Sequence, residues 1–145
     1  MKNITALIDA NVIINFITKR DDPYKNECCE VMKLCTESMF DGYIAFHSLS
    51  IIWYVVKKQE TEERARAWLK DICEVLTITG ATQKQVKEAI EKSEFRDFED
   101  CLQDECAAHV NAEYIVTCNL KDFQQAKTMA VTPDVFLKIL TGNHQ

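Results

Sequence analysis

The chain has 145 residues, with 23 Asp and Glu against 17 Lys and Arg, so its formal charge is −6. This acidic balance argues against a protein that coats nucleic acid with a basic surface. The composition, with 47% hydrophobic and 28% charged residues, three Gly and two Pro, excludes collagen-like and disordered chains. We predict one globular domain over residues 1–145 that needs no structural metal.

Apolar segments are short: the run 51–56 is far below the roughly 20 residues that a membrane span requires. An acid at position 9 interrupts the N-terminal segment before a secretory signal could form. We therefore expect a cytoplasmic protein with no membrane partner. The seven cysteines show no C-x-x-C spacing, so we expect reduced and mostly buried thiols.

Five short β-prone segments alternate with helical segments along the chain. We predict strands over 3–8, 43–46, 75–79, 114–117 and 129–131. Asp22-Pro23 opens a helix that runs to Phe40, Thr61 and Thr82 are further N-caps, and Thr132-Pro133 opens the last helix. The alternation predicts an α/β fold of three layers, with a parallel sheet of about five strands and helices on both faces.

Acidic residues fall where ligands bind in such a sheet, beyond the carboxyl ends of the strands. Asp9 ends the first predicted strand, Asp122 follows the fourth, and Asp97 and Asp100 open the helix between them. Each alone has an ordinary explanation, as a helix cap, as charge at a helix start or as a turn residue. Asp100 and Asp104 also share a helix face, and a cation would offset their repulsion.

Oxygen ligands without Cys or His predict Mg²⁺ or Mn²⁺ rather than zinc. Such a metal suits phosphodiester hydrolysis, because it activates water and neutralises charge on the phosphoryl oxygens. It would also let an acidic protein bind RNA or DNA, with cations at the rim holding flanking phosphates. The candidate rim cations are Lys19, Arg20, Lys57, Lys58, Arg96 and Lys121.

Three segments, in order, resemble the PIN domain family and in particular the small VapC-like toxins of bacteria. Residues 7–12 (LIDANV) resemble its opening motif, 97–102 (DFEDCL) its acidic helix start, and 115–123 (IVTCNLKDF) its "hvTxNxxDF" segment. The closing residues 131–136 resemble its last strand, turn and helix.

The resemblance implies a five-stranded parallel sheet and a Mg²⁺- or Mn²⁺-dependent ribonuclease. Its target would be single-stranded or structured RNA, and the protein would be the toxin of a toxin–antitoxin pair. It also implies a homodimer and an antitoxin that places a cation among the acids. By motif position, the metal-binding acids correspond to Asp9, Asp97, Asp100 and Asp122. The polar pair that orients water corresponds to Thr117 and Asn119, and the expected RNA contacts are Asn11, Lys19, Arg20 and Lys121.

One position departs from the family pattern. The family usually has a Glu on the helix after the second strand, whereas residues 48–56 contain no acid. Ser48, Ser50 or a water would then complete the metal shell, or the enzyme would be slow or inactive. The alternative is a PIN-fold RNA-binding or protein-interaction module without cleavage. A haloacid-dehalogenase-like phosphotransferase fits less well, because Asn11 stands where that family has an acid–base Asp.

Overall fold

The secondary structure of the chain is a regular alternation of strands and helices. The computed structural model describes residues 3–95 and 97–142. The strands are β1 (Thr5–Ile8), β2 (Asp41–Ala45), β3 (Thr77–Thr79), β4 (Tyr114–Val116) and β5 (Met129–Val131). The helices are α1 (Ala10–Ile17), α2 (Lys25–Thr36), α3 (Phe46–Gln59), α4 (Glu62–Val75), α5 (Gln83–Glu91), α6 (Phe98–His109) and α7 (Pro133–Gly142). A short 3-10 helix covers Leu120–Phe123.

The five strands form one sheet in the order β3-β2-β1-β4-β5, and every neighbouring pair is parallel. Strand β1 lies at the centre, with Ala6 opposite Gly42 on one side and Tyr114 on the other. The chain lays down β1, β2 and β3 in one direction and then returns to place β4 beside β1. The strand order therefore reverses between β1 and β4, and the predicted parallel α/β fold is confirmed.

Both faces of the sheet are covered, which explains why β1 is apolar at consecutive positions. Ala6 and Ile8 belong to the main core cluster with residues of α1, α2, α3, α4 and α7. Leu7 faces the other way, into a second cluster with Cys106 and Ala107 of α6. Since successive strand side chains point to opposite faces, this alternation gives the three layers expected from the sequence.

Predicted element boundaries are correct to within a few residues where a cap fixes them. The Thr82 hydroxyl accepts from the amide of Gln85, whose side chain accepts from the amide of Thr82, so the capping box is present. The helix predicted to reach Phe40 ends at Thr36, and Ser38 follows in the left-handed region with φ 58°. Strand β3 begins later than predicted because α4 continues through Val75.

All seven cysteines are free thiols, and four of them are buried: Cys28, Cys35, Cys101 and Cys106. The expectation of mostly buried thiols is confirmed. In the two described stretches, no helix combines the length and apolarity needed to cross a membrane.

Candidate functional site

Asp9 lies at the carboxyl end of β1, where the strand order reverses. Its backbone amide donates to the carbonyl of Val116 at 3.0 Å, which places it beside the end of β4. Asp9 holds the N-cap position of α1, yet its carboxylate makes no capping hydrogen bond. Instead, Oδ2 accepts from the hydroxyl of Thr117 at 2.8 Å, and the side chain is only 4% exposed. The carboxylate of Asp9 is thus oriented by Thr117, the residue after β4, and not by a capping hydrogen bond with α1.

The turn after β4 continues this arrangement. The backbone amide of Asn119 donates to Thr117 Oγ1 at 3.0 Å, which fixes the hydroxyl that holds the acid of β1. The amide of Asp122 then donates to the carbonyl of Asn119 at 3.0 Å, inside the 3-10 helix. Two short local contacts therefore position Thr117, Asn119 and Asp122 as one unit.

The acids of α6 reach the same edge because the first turns of α3 and α6 are joined. Asp97 caps α6, with Oδ1 accepting from the amide of Glu99 at 2.8 Å. Nε2 of His47, in the first turn of α3, lies 3.2 Å from the carbonyl of Glu99. One turn further, Gln103 Nε2 donates to Ser48 Oγ at 2.6 Å between two fully buried side chains.

The pKa of Asp100 reflects both its burial and the charges of the neighbouring acids. The pKa of Asp100 is raised to about 7. Burial is the largest cause, and the negative charges of Asp9, Asp97, Asp122 and Glu99 contribute the rest. The carboxyl group of Asp100 therefore interacts electrostatically with the three other predicted acids, Asp9, Asp97 and Asp122. Glu99 acts on Asp100 in the same way, although it was not among the predicted site residues.

The pKa of Asp9 is also raised. Burial raises its pKa from 3.8 to about 6 and the charges of Glu99 and Asp122 act with burial, while the hydrogen bond from Thr117 opposes the shift. An acid in this environment is costly to ionise unless a positive charge stands beside it.

The donor set fits Mg²⁺ or Mn²⁺, because hard divalent cations prefer carboxylate oxygens. Among residues 3–95 and 97–142, however, no group of three Asp, Glu, His or Cys side chains already stands in positions that could hold a metal ion. Like charges repel one another in the absence of a cation, so a metal ion at this edge would require the side chains to approach one another.

A family model described as PIN domain matches residues 5–121. The chain belongs to the PIN domain family. Its fold is similar to a toxin–antitoxin complex from Klebsiella pneumoniae, at 21% identity and TM-score 0.66 over 89% of this chain and 98% of that one. It is similar to DNA-bound VapBC from Salmonella typhimurium, at 18% identity and TM-score 0.68 over 90% and 98%.

A third similar structure is Mycobacterium tuberculosis VapC20, described as a Sarcin-Ricin loop cleaving toxin, at 12% identity and TM-score 0.61 over 77% of this chain and 87% of that chain. At these identities the solved structures establish the fold of this PIN domain and nothing finer. A comparison with curated proteins gave no match.

Two further acids of α6, Asp104 and Glu105, have partners elsewhere in the PIN domain. The carboxylate of Asp104 accepts from the backbone amides of residues 127 and 128, at 2.9 and 3.1 Å. Glu105 pairs with Lys92 and Lys127, each at 2.9 Å. Both acids are fully buried and satisfied. The prediction that a bound cation offsets repulsion between Asp100 and Asp104 is wrong, because Asp104 is already compensated by amides.

The predicted RNA contacts divide between two places. Asn11 is in the first turn of α1, and Lys121 adjoins Asp122 and lines a small cavity of about 70 Å³ with it, so both lie by the acids. Lys19 lines a separate cavity of about 330 Å³ beyond the far end of α1, and Arg20 follows it at the surface.

The other predicted rim cations are engaged with aromatic rings or lie outside the described residues. Lys57 and Lys58 stand 5.8 and 5.9 Å from the ring centroids of Trp53 and Tyr54 on α3. Arg96 lies outside the described residues.

The helix on which the resemblance implied a Glu, α3, begins with a buried neutral contact. Ser48 is fully buried and accepts from Gln103, whose Oε1 has no hydrogen-bond partner in the described structure. Ser50 is exposed and donates to the carbonyl of His47 at 2.8 Å. Of the two serines considered as substitutes for the acid, Ser48 is the one that points into the interior beside α6.

Proposed function

We propose that this PIN domain is a metal-dependent endoribonuclease that cleaves single-stranded or structured RNA in the cytoplasm, as the toxin of a toxin–antitoxin pair. The observation that carries the proposal is Asp9: a buried carboxylate at the switch point of the sheet, held by Thr117 and surrounded by further acids. Ligands of open parallel sheets bind at this place.

Asp9, Asp100 and Asp122 hold Mg²⁺ or Mn²⁺, with Asp97 at the edge of the set. When bound, the metal activates water and neutralises charge on the phosphoryl oxygens. The Thr117 hydroxyl donates to Oδ2 of Asp9 and holds the carboxylate in place. Asn119 fixes Thr117 through its backbone amide and presents an exposed side chain at the mouth of the site. Asn11 and Lys121 contact the flanking phosphates.

The partner assignment draws on the similar structures, which include toxin–antitoxin complexes. An apolar groove of about 170 Å³ between α1, α2 and α4 is the antitoxin surface, lined by Phe16, Met32, Trp68 and Ile72. The bound segment supplies apolar side chains to this groove. The acids of the candidate site favour an Arg or Lys from the same partner.

We propose further that the toxin itself is a homodimer that uses apolar helix surface.

A second function is favoured by one observation. The segment of α3 in which the resemblance implied a Glu, residues 48–56, contains no acid, and its Ser48 makes a buried, neutral contact with Gln103. A PIN-fold module that binds RNA or protein without cleavage would retain the fold and the acids but lack turnover.

Cleavage of labelled single-stranded RNA by the purified chain separates the two functions. We expect cleavage that requires Mg²⁺ or Mn²⁺, stops with EDTA and falls by at least about 100-fold in Asp9→Asn, because the metal loses a charged ligand. Asp21→Asn, an exposed acid in the loop after α1, is the matched control and should cleave like the wild type. RNA bound equally with and without metal, together with no cleavage of any RNA and no effect of Asp9→Asn, would establish the non-catalytic module.

A further inference from the structure

Two thiols from distant parts of the chain are in contact beside the candidate site. Sγ of Cys28, in α2, lies 3.6 Å from Sγ of Cys118, in the turn after β4. Nδ2 of Asn15, in α1, donates to Cys118 Sγ at 3.5 Å and to Cys28 Sγ at 3.8 Å. Asn15 and Cys28 are fully buried, whereas Cys118 is partly exposed. One amide group therefore holds two sulfur atoms close together.

The other cysteines do not form such a pair. Cys35 and Cys101 each donate to a backbone carbonyl, at 3.9 and 3.8 Å, and Cys73 is exposed on α4. Within the part of the chain that the structure describes, no second pair of thiols is in contact.

Cys118 is the residue between Thr117 and Asn119. Thr117 orients Asp9, and the amide of Asn119 orients Thr117, so a displacement of Cys118 reaches the central acid through two hydrogen bonds. The proposed nuclease supplies the functional consequence of such a displacement, while the reactivity of the thiol pair does not depend on it.

We propose that Cys28 and Cys118 are a redox-sensitive modification site: a peroxide converts the two thiols into a disulfide that displaces the turn 117–119 and weakens metal binding by Asp9. A disulfide requires about 2.05 Å between sulfurs, so the two atoms must approach by about 1.5 Å from their 3.6 Å separation. Cys28 is fixed inside a helix, and the turn therefore moves.

The reaction balances with hydrogen peroxide as the oxidant. One thiol takes an oxygen atom from the peroxide and becomes a sulfenic acid, and a first water leaves. The other thiol attacks that sulfur, the S–S bond forms, and a second water leaves with the remaining thiol proton. Two electrons pass from the sulfurs to the peroxide. The hydrogen bond from Cys118 lowers the pKa of Cys28, with Asn15 acting in the same direction against the effect of burial, which favours the reactive thiolate.

The test treats the folded full chain with hydrogen peroxide and locates disulfides by mass spectrometry of peptides. We expect a Cys28–Cys118 disulfide in the wild type and in the matched controls Cys29→Ser and Cys73→Ser, but none in Cys28→Ser or Cys118→Ser. Cys118→Ala is a second variant in case the serine perturbs folding. Absence of this disulfide in folded wild-type protein, or formation of a different one, would overturn the site.

Regulation is tested by the rise in melting temperature that Mn²⁺ causes. We expect oxidation to remove most of this rise in the wild type, dithiothreitol to restore it, and Cys118→Ser to be insensitive to peroxide. An oxidised wild type with an unchanged response to Mn²⁺ would overturn the regulatory role. If reduced protein responds to Mn²⁺ but cleaves no RNA, the proposed function fails while the redox site stands.

Discussion

At the scale of single residues, Asp9 is the group on which the site depends most. It is almost completely buried, so its charged form loses solvation that one hydroxyl from Thr117 replaces only in part. A charge kept in such a place in the absence of a counter-ion reduces the stability of the fold. The site therefore favours a cation thermodynamically before any substrate is present.

This cost predicts that Asp9→Asn stabilises the metal-free protein at alkaline pH. The folded state raises the pKa of Asp9 from 3.8 to about 6, so it binds the proton more tightly than the unfolded state does. The contribution of Asp9 to stability is therefore greatest below about pH 4 and is lost as pH rises through 6. Asn cannot ionise, and its advantage at pH 8 should reach up to about 3 kcal/mol.

Urea unfolding in EDTA at pH 4 and pH 8 measures this difference. Asp21→Asn, at an exposed position, should match the wild type at both values. A less stable Asp9→Asn protein at pH 8 would contradict the proposed burial cost.

The sequence predicts Asp9, Asp100 and Asp122 as site residues because each stands at the end or start of a predictable element. It could not reveal that Thr117 binds Asp9, since the two residues are 108 positions apart. For the same reason it misassigned Asp104, whose amide partners come from a loop more than 20 residues later. Local spacing predicts where a charge lies along a helix but not which distant group compensates it.

At the scale of elements, close packing along β2 is set by Gly42. A Cβ atom there would stand 2.6 Å from Leu76 Cδ2 and 2.7 Å from Cys35 Sγ. We expect Gly42→Ala to destabilise the fold by about 1–3 kcal/mol, because the interior has no room for the extra methyl. Gly80→Ala is the control, since nothing lies within 4 Å of its Cβ position. Equal unfolding midpoints for the two variants in urea would show that α2 and α4 yield more easily than their packing indicates.

Elements were predictable where a cap or an apolar run marks them, as at Thr82 and in β1. Their ends were less so: α4 extends into residues that have strand propensity, because its packing against α3 overrides that propensity. The contact of His47 with the carbonyl of Glu99 was also invisible in the sequence, although it joins α3 to α6 at the site.

At the scale of the whole molecule, the net charge of −6 repels a polyanion, so the proposed RNA binding would depend on a bound cation. We expect labelled single-stranded RNA to bind at least about tenfold more tightly in Mn²⁺ than in EDTA at equal ionic strength, and Asp9→Asn to lose this gain. Fluorescence anisotropy measures both. Metal-independent affinity would shift the interaction to surfaces away from the acids, such as the cavity beside Lys19.

The central place of β1 has a consequence for biosynthesis. During translation β1 can pair with β2 soon after residue 45 is made, but its other edge stays open until β4 at 114–116 emerges. An open edge of this kind is prone to pair with other chains. The hydroxyl that orients Asp9 arrives only with residue 117, and Asp122 later still. A nascent chain therefore cannot assemble the candidate site until Thr117 and Asp122 have been made.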